Sequence, residues 1–452
     1  MQSTEQARDQ STAVGIAASV RAGELTARAA VEATLARIGE RDGPIGAFQV
    51  VRTEAALREA DVVDQRADRF CLPLAGVPIP IKDNVAVSGE PMRLGSAGSG
   101  SNPNEFDHEI VRRLRRAGAV VVGLTRVPEL CVYGATDSTF GITRNPWNLD
   151  RTPGGSSGGA AAAVAAGMVV AAHGNDGMGS IRIPAACCGL VGIKPGLGVV
   201  PSDLGNGSWF DMAENGPLAT TVADCALLLS VMAARPELAE PADPGRLRVA
   251  VSVRNPIQGF PVDRSWAETA RTAGGVLREA GHTVRQANPA YGSRLGPMSL
   301  ARWMAGTELD ARQLAHRDQM SRRTSRHAAA GRLVLRTGFP KDKGREQWRR
   351  RALAFFADHD VLVTPALAQS PIRSIAWSER GWLANVLANV RYAPFAAPWN
   401  VAGWPAMTVP TGIGPDGLPR AAQLVGRPGS EATLLGLAAQ LEQRRPWQRT
   451  AG

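Results

Sequence analysis

The 452-residue sequence has few of the residues that build disulfide frameworks and metal sites. Its five cysteines form no Cys-x-x-Cys pair, and their odd number argues against a complete disulfide framework. Adjacent Cys187 and Cys188 are interpreted as small buried thiols rather than as a redox pair. The six histidines are scattered without paired ligand spacing, so we expect no metal site.

Long apolar runs are also missing. The longest stretch without polar side chains, Gly158 to Ala172, is shorter than the roughly 20 residues of a membrane helix, and its small residues predict a buried helix. The first twenty residues carry acids and polar groups where a secretion signal needs a basic end and an apolar run. We therefore expect a cytoplasmic protein that does not interact with a membrane.

Acidic residues are scarce relative to basic ones in a single segment. Arg294 to Arg351 holds 15 Lys or Arg against 5 Asp or Glu, which accounts for the net charge of +10. Apolar residues interleaved with these charges favour solvent-exposed helix faces, so nucleic acid is not expected as a partner. A substrate carboxylate bound by Arg302, Arg322 and Arg323 stays open as a hypothesis.

The order of elements predicts an α/β protein. Residues 1–70 have helical periodicity, and GVPIPIKDN predicts a strand that ends near Lys82. From His108 the pattern is a helix, a turn at Gly118 and a strand, and this order recurs further along the chain. Because no repeat or linker divides the sequence, we expect one domain over residues 1–452.

Two Gly/Ser clusters, TPGGSSGG and GNDGMGS, flank the small-residue helix. Glycine lets a backbone approach a ligand closely, so these two loops can bring hydroxyls and N–H groups to one place. Pro184 suits the first turn of a helix, which puts Ser180 near a helix N-terminus, where N–H groups can stabilise an oxyanion. The GK[ST] ending of a phosphate-binding loop is absent.

A serine nucleophile needs a base, but the sequence has no evident Ser-His-Asp spacing. The nearest histidine, His173, belongs to the segment before the second loop. Lysine can replace histidine when burial lowers its pKa, and Ser-Lys sites are an established variant. The chemistry of a serine hydrolase therefore remains available to this chain.

Three segments, GVPIPIKDN, NPWNLDRTPGGSSGG and GNDGMGSIRIPA, resemble in order and spacing the signature segments of the amidase-signature family. The resemblance implies a large mixed central sheet flanked by helices on both faces, with a catalytic core at 76–235. It implies that Lys82 is the base, that Ser156 is an intermediate serine held through a cis peptide, and that Ser180 is the acylated nucleophile. The oxyanion hole that the family implies consists of Gly177, Met178, Gly179 and Ser180. The supporting residues that it implies are Ser157, Asp176 and Arg182.

The sequence departs from the family pattern at Met178, where Gly is most frequent, at Asn175, where Thr is commoner, and at Ala160, where Ser is frequent. The resemblance is weak over residues 291–351, which we treat as a variable basic segment. Aromatic residues offered as an acyl pocket are Trp209, Phe210, Phe395, Trp399 and Trp404.

The resemblance implies an amidase that hydrolyses the C–N bond of linear or cyclic carboxylic amides through an acyl-enzyme on Ser180. We expect a small-molecule amide as the partner and no cofactor, and a homodimer stays open. Cyclic-amide hydrolases that degrade nylon oligomers have a similar GNDGGGS-like loop. The alternatives are the amidating subunit of a tRNA-dependent amidotransferase and a non-hydrolytic acyl-transfer or binding protein on the same scaffold.

Overall fold

Buried apolar strands form the centre of the protein, for which a computed structural model describes residues 9–339 and 342–452. The strands are β1 (Phe48–Val51), β2 (Pro78–Lys82), β3 (Val120–Thr125), β4 (Asp137–Ser138), β5 (Gly141–Ile142), β6 (Ala171–Asp176), β7 (Val191–Lys194), β8 (Glu214–Ala219), β9 (Arg248–Val251), β10 (Thr283–Gln286), β11 (Val361–Pro365), β12 (Ala406–Ile413) and β13 (Pro419–Gly426). The helices are α1 (Ala13–Ala22), α2 (Ala27–Ile45), α3 (Thr53–Gln65), α4 (Glu109–Arg116), α5 (Gly158–Ala165), α6 (Arg182–Cys188), α7 (Val222–Ala233), α8 (Arg264–Glu279), α9 (Leu295–Ala311), α10 (Arg322–Arg336), α11 (Lys343–Phe355), α12 (Trp382–Tyr392), α13 (Ala397–Ala402) and α14 (Glu431–Arg444). A left-handed turn covers Ser208–Asp211.

Eight strands form a mixed sheet in the order β10-β9-β11-β13-β12-β7-β8-β6. Strand β9 pairs in parallel with β10 and β11, whereas the other neighbours are antiparallel. A second sheet has the order β1-β3-β2, and its β2 lies beside β6, where Lys82 N donates to His173 Nδ1 at 3.3 Å. The predicted α/β class with a large mixed sheet is confirmed, and the ends of β2 and β6 meet.

The predicted helical part at residues 1–70 contains a strand. Residues 1–8 lie outside the described residues, and α1, α2 and α3 follow the prediction. Phe48–Val51 instead forms β1, because Phe48 and Val51 pair with Thr125 and Gly123 of β3. A four-residue strand between two helices was hidden by the helical periodicity on both sides.

The predicted buried helix from Gly158 to Ala172 is also shorter than expected. Helix α5 ends at Ala165, the chain turns at Gly167, whose φ is +67°, and Ala171 begins β6. A continuous apolar run does not distinguish a buried helix from a buried strand, and here it contains both. Among the described residues, no helix is long and apolar enough to span a bilayer.

Small residues in α5 allow close packing under the two Gly/Ser loops. All eight residues of α5 are buried. A Cβ added at Gly159 would lie 2.5 Å from the carbonyl oxygen of Ala47 and 2.6 Å from Arg126 N, which are backbone atoms with little freedom to move. Helix α5 therefore holds both loops at a fixed distance from β1 and β3 because it lacks large side chains.

Candidate active site

Lys82 lies at the end of β2 with no solvent exposure. Its Nζ is 2.7 Å from Ser156 Oγ, 2.6 Å from Asn175 Oδ1 and 3.1 Å from the Asn175 carbonyl oxygen. Burial lowers the pKa of Lys82 to about 8, against the opposing effect of Cys131 and Asp176. A sizeable fraction of Lys82 is therefore neutral near pH 8 and able to accept a proton from Ser156.

Asn175 holds the Lys82 amine together with Ser156, through a contact that the sequence did not predict. Its Nδ2 donates to Asn84 Oδ1 at 2.7 Å, which orients Asn175 Oδ1 toward Lys82. The sequence identified Asn175 only as a departure from the family pattern. That departure, in the same segment as Ser180, was the signal available in the sequence.

The first Gly/Ser loop presents Ser156 after a cis peptide between Gly155 and Ser156, as the family resemblance implies. Ser157 joins this loop to the second one. Its N–H donates to the Ser180 carbonyl oxygen at 3.1 Å, and its Oγ donates to the Asn175 carbonyl oxygen at 3.2 Å. The two loops are therefore connected through Ser157, and Ser156 and Ser180 line the same cavity.

The second loop places Ser180 just before α6. Gly179 has φ +119°, and its N–H donates to Asp176 Oδ1 at 2.5 Å, so this N–H group already has an acceptor. In the described part of the chain, the N–H groups of Gly177, Met178 and Ser180 have no such acceptor. These three groups, rather than all four predicted ones, are free to bind an oxyanion.

Among the described residues, no hydrogen bond joins Ser156 to Ser180. Catalytic hydrogen bonds are often long without substrate and shorten in the reacting complex. Lys82, Ser156 and Ser180 are thus brought to one place, with the Lys82–Ser156 contact already formed.

A buried ion pair between Asp176 and Arg182 supports the second loop. Arg182 Nε lies 2.9 Å from Asp176 Oδ2, and both side chains are almost fully buried. Burial raises the pKa of Asp176, but Arg182 and hydrogen bonds from Arg182 and Asn400 outweigh burial and hold that pKa well below its usual range. Arg182 also donates to Asn400 Oδ1 at 2.5 Å and Gln423 Oε1 at 2.8 Å. Sequence analysis assigned no role to Asn400 or Gln423, because they are distant in the chain and belong to no local motif.

His173 is not available as a base. Its Nδ1 accepts from Lys82 N, and its Nε2 lies 2.9 Å from Asn215 Oδ1. Burial lowers the pKa of His173 to about 3, so the ring is neutral, with Nε2 as its N–H donor. The buried histidine therefore fixes the end of β2 and leaves Lys82 as the base candidate.

The cavity next to Ser180 has a volume of about 680 Å³. Of the five predicted pocket aromatics, Trp209 lines it, and its ring lies over Gly177. Phe210, Phe395, Trp399 and Trp404 are outside its lining. Trp399 packs instead in an aromatic cluster with Trp348, Phe356 and Trp404 at centroid distances of 5.4, 6.0 and 6.2 Å, and the aromatic side chains that line the cavity besides Trp209 are Phe106, Tyr133 and Trp303.

The three arginines proposed for a substrate carboxylate do not line this cavity. Arg302 is buried beside Asp342, and Arg323 is buried with its Nη1 3.0 Å from Asp137 Oδ1, so both were wrongly placed on solvated helix faces. Arg322 is exposed. The hypothesis of carboxylate binding by these residues is therefore wrong for this cavity.

Comparisons with known proteins extend over nearly the whole chain. Residues 29–435 match the family profile described as Amidase. A Mycobacterium tuberculosis protein named amidase AmiB2 is 44% identical over 443 residues, which cover 94% of each chain. An acylamidase of Rhodococcus erythropolis is 35% identical over 472 residues, covering 98% of this chain and 97% of that protein. A solved structure of 6-aminohexanoate cyclic dimer hydrolase complexed with substrate has a TM-score of 0.87 and 30% identity, covering 97% of this chain and 98% of that one.

Proposed function

The chain belongs to the amidase family, and from that premise we propose that it hydrolyses amides through an acyl-enzyme on Ser180, with Lys82 as the base and Ser156 as the relay. The observation that carries this proposal is the 2.7 Å contact between Lys82 Nζ and Ser156 Oγ in a buried site. A lysine whose pKa is lowered to about 8 by burial is a usable base near neutral pH.

In the first step, neutral Lys82 takes the proton of Ser156 while Ser156 takes the proton of Ser180. Ser180 Oγ then forms a bond to the amide carbonyl carbon, and the carbonyl oxygen becomes an oxyanion. The free N–H groups of Gly177, Met178 and Ser180 are the candidate donors to that oxygen. One such donor contributes about a hundred- to thousandfold in rate in other hydrolases.

In the second step, the C–N bond breaks and the proton on Lys82 returns through Ser156 to the departing nitrogen. Ammonia or an amine leaves, and Ser180 carries the acyl group as an ester. Water then loses a proton to the same relay, attacks the ester carbonyl, and releases the carboxylic acid while Ser180 regains its proton. No step calls for a cofactor.

The relatives support hydrolysis over the two alternatives. Matches over nearly the full chain carry the names acylamidase and cyclic dimer hydrolase, so neither an amidating subunit of an amidotransferase nor a binding protein is favoured. The small-molecule partner we propose is a linear or cyclic amide that fits about 680 Å³. We also propose a cytoplasmic location, which the free thiols of Cys71, Cys131, Cys187, Cys188 and Cys225 support.

The test compares Ser180→Ala and Lys82→Ala with Ser299→Ala. Ser299 lines the same cavity, but its Oγ donates to the Leu295 carbonyl oxygen within its own helix, so it is a matched control. We expect Ser180→Ala to lose at least about a thousandfold in kcat and Lys82→Ala at least about a hundredfold. Ser299→Ala should stay near wild type. Wild-type turnover by folded Ser180→Ala would refute the proposal.

A further inference from the structure

The charge of the catalytic cavity restricts the substrates that it can hold. No Lys or Arg lines it in residues 9–339 and 342–452, and its acidic lining residues are Asp203 and Asp310. An anionic group placed in this cavity would meet carboxylates and no counter-charge. A neutral or cationic group matches the lining better.

Asp310, which is half-buried, lacks the arginine partner that two fully buried carboxylates have. Asp137 and Asp176 pair with Arg323 and Arg182, whereas Asp310 forms no ion pair with a described Lys or Arg. Its Oδ1 accepts from Asn206 N at 2.9 Å and its Oδ2 from Trp209 Nε1 at 2.5 Å. Each carboxylate oxygen accepts more than one hydrogen bond, so capacity toward the cavity remains.

Trp209 connects Asp310 to the reaction site. The Trp209 ring donates to Asp310, and its Cε3 would lie 3.4 Å from a Cβ added at Gly177, in the loop that holds Ser180. Asp310 is therefore one side chain away from the candidate oxyanion donors. Asp310 and Ser180 line the same cavity, so one substrate molecule can reach both.

We propose that Asp310 is a specificity-determining residue that binds an alkylammonium group of the amide substrate. This inference rests on the proposed function and adds the substrate class to it. The ammonium supplies the missing counter-charge of a carboxylate that accepts from Trp209 and lies in a cavity also lined by Leu300 and Trp303. Burial raises the pKa of Asp310 to about 6, against hydrogen bonds from Trp209 and Asn206, so the carboxylate is ionised at pH 8.

The test measures kcat/KM at pH 8 for two pairs of amides, each pair matched in length. In the acyl pair, 6-aminohexanamide is compared with heptanamide, and in the amine pair, N-(4-aminobutyl)acetamide is compared with N-pentylacetamide. Wild type should favour the ammonium member of at least one pair by about tenfold or more, as for a hydrogen bond between charged groups. The pair that shows the preference tells which side of the scissile bond lies at Asp310.

The decisive variant is Asp310→Asn, with Asp203→Asn as the matched control. Asp203 also lines the cavity but is exposed, and its φ of +38° is one that Asn tolerates. Asp310→Asn should abolish the preference by lowering kcat/KM for the ammonium amides far more than for the neutral amides, whereas Asp203→Asn should keep the preference.

Three results would overturn the inference: no ammonium preference in wild type, a preference that persists in Asp310→Asn, or an equal loss on neutral and cationic amides in Asp310→Asn. The last result would make Asp310 only a support for Trp209. If no amide of either kind were hydrolysed by wild type, the proposed function itself would fail, which is a distinguishable outcome.

Discussion

The pH dependence of catalysis is expected to follow the protonation of Lys82. With a pKa of about 8, Lys82 is neutral in about a tenth of the molecules at pH 7, in half at pH 8 and in about nine tenths at pH 9. Because only the neutral amine can take the proton of Ser156, kcat/KM should rise about tenfold from pH 7 to pH 9. Burial is the largest cause of the shift, so the rise depends on the dry surroundings of the Lys82 amine.

The assay is kcat/KM for a neutral amide from pH 6 to pH 10, at constant ionic strength and with the fold monitored by circular dichroism. Asp83 is the necessary control, because burial raises its pKa to about 8 as well, against a hydrogen bond from Arg93 N. Asp83→Asn removes that titration and should retain the rise near pH 8. A wild-type profile that is flat across pH 8, or a rise that vanishes in folded Asp83→Asn, would refute the assignment to Lys82.

Three further predictions concern the groups around the site. Asn175→Leu removes an acceptor 2.6 Å from Lys82 Nζ that favours the charged amine. The acidic limb of the kcat/KM profile should therefore move to lower pH by about half to one unit. A limb that does not move would contradict this. Asp176→Asn leaves Arg182 buried without its counter-charge and should lower the free energy of unfolding in urea by about 3–5 kcal/mol at pH 7. The pKa of Asp176 is depressed in the folded protein, so its stabilisation is present above pH 4 and is lost as pH falls below the unfolded value near 4. The free energy of unfolding of Asp176→Asn should therefore fall less than that of wild type in this pH range. An equal fall would argue against the pairing. Gly159→Ala should lower the free energy of unfolding by about 1–3 kcal/mol, because the added Cβ meets backbone atoms. Gly275→Ala in α8 is the control, since its Cβ enters open space and should raise the free energy of unfolding by about 0.4–1 kcal/mol. Changes of the same sign in both variants would contradict the packing of α5.

The site residues that the family resemblance implied lie in three contiguous segments of the sequence. The structure brings Lys82, Ser156 and Ser180 of these segments together, and their catalytic roles stay a prediction. The alternation of helices and strands likewise predicted the α/β class. Local patterns succeed where neighbouring residues in the chain impose the geometry.

Contacts between residues that are far apart in the chain could not be predicted from local sequence patterns. Asn400 and Gln423 reach Arg182 from segments more than two hundred residues away, and Asp310 approaches the cavity from α9. The burial of Arg302 and Arg323 was missed because a charged side chain on a helix is usually exposed, whereas tertiary packing here supplied Asp342 and Asp137 as partners. Aromatic residues were also assigned by type, although Trp399 packs in the core.

The central claim is that Ser180 is the nucleophile, and covalent labelling tests it most directly. The purified protein is treated with a fluorophosphonate, and intact mass followed by peptide mapping locates the adduct. The account predicts one adduct, on Ser180, whose rate of formation rises between pH 7 and pH 9 and which is absent from folded Ser180→Ala. Adduct formation at the wild-type rate in Ser180→Ala, or an adduct mapped to another serine while amide hydrolysis is lost, would contradict it.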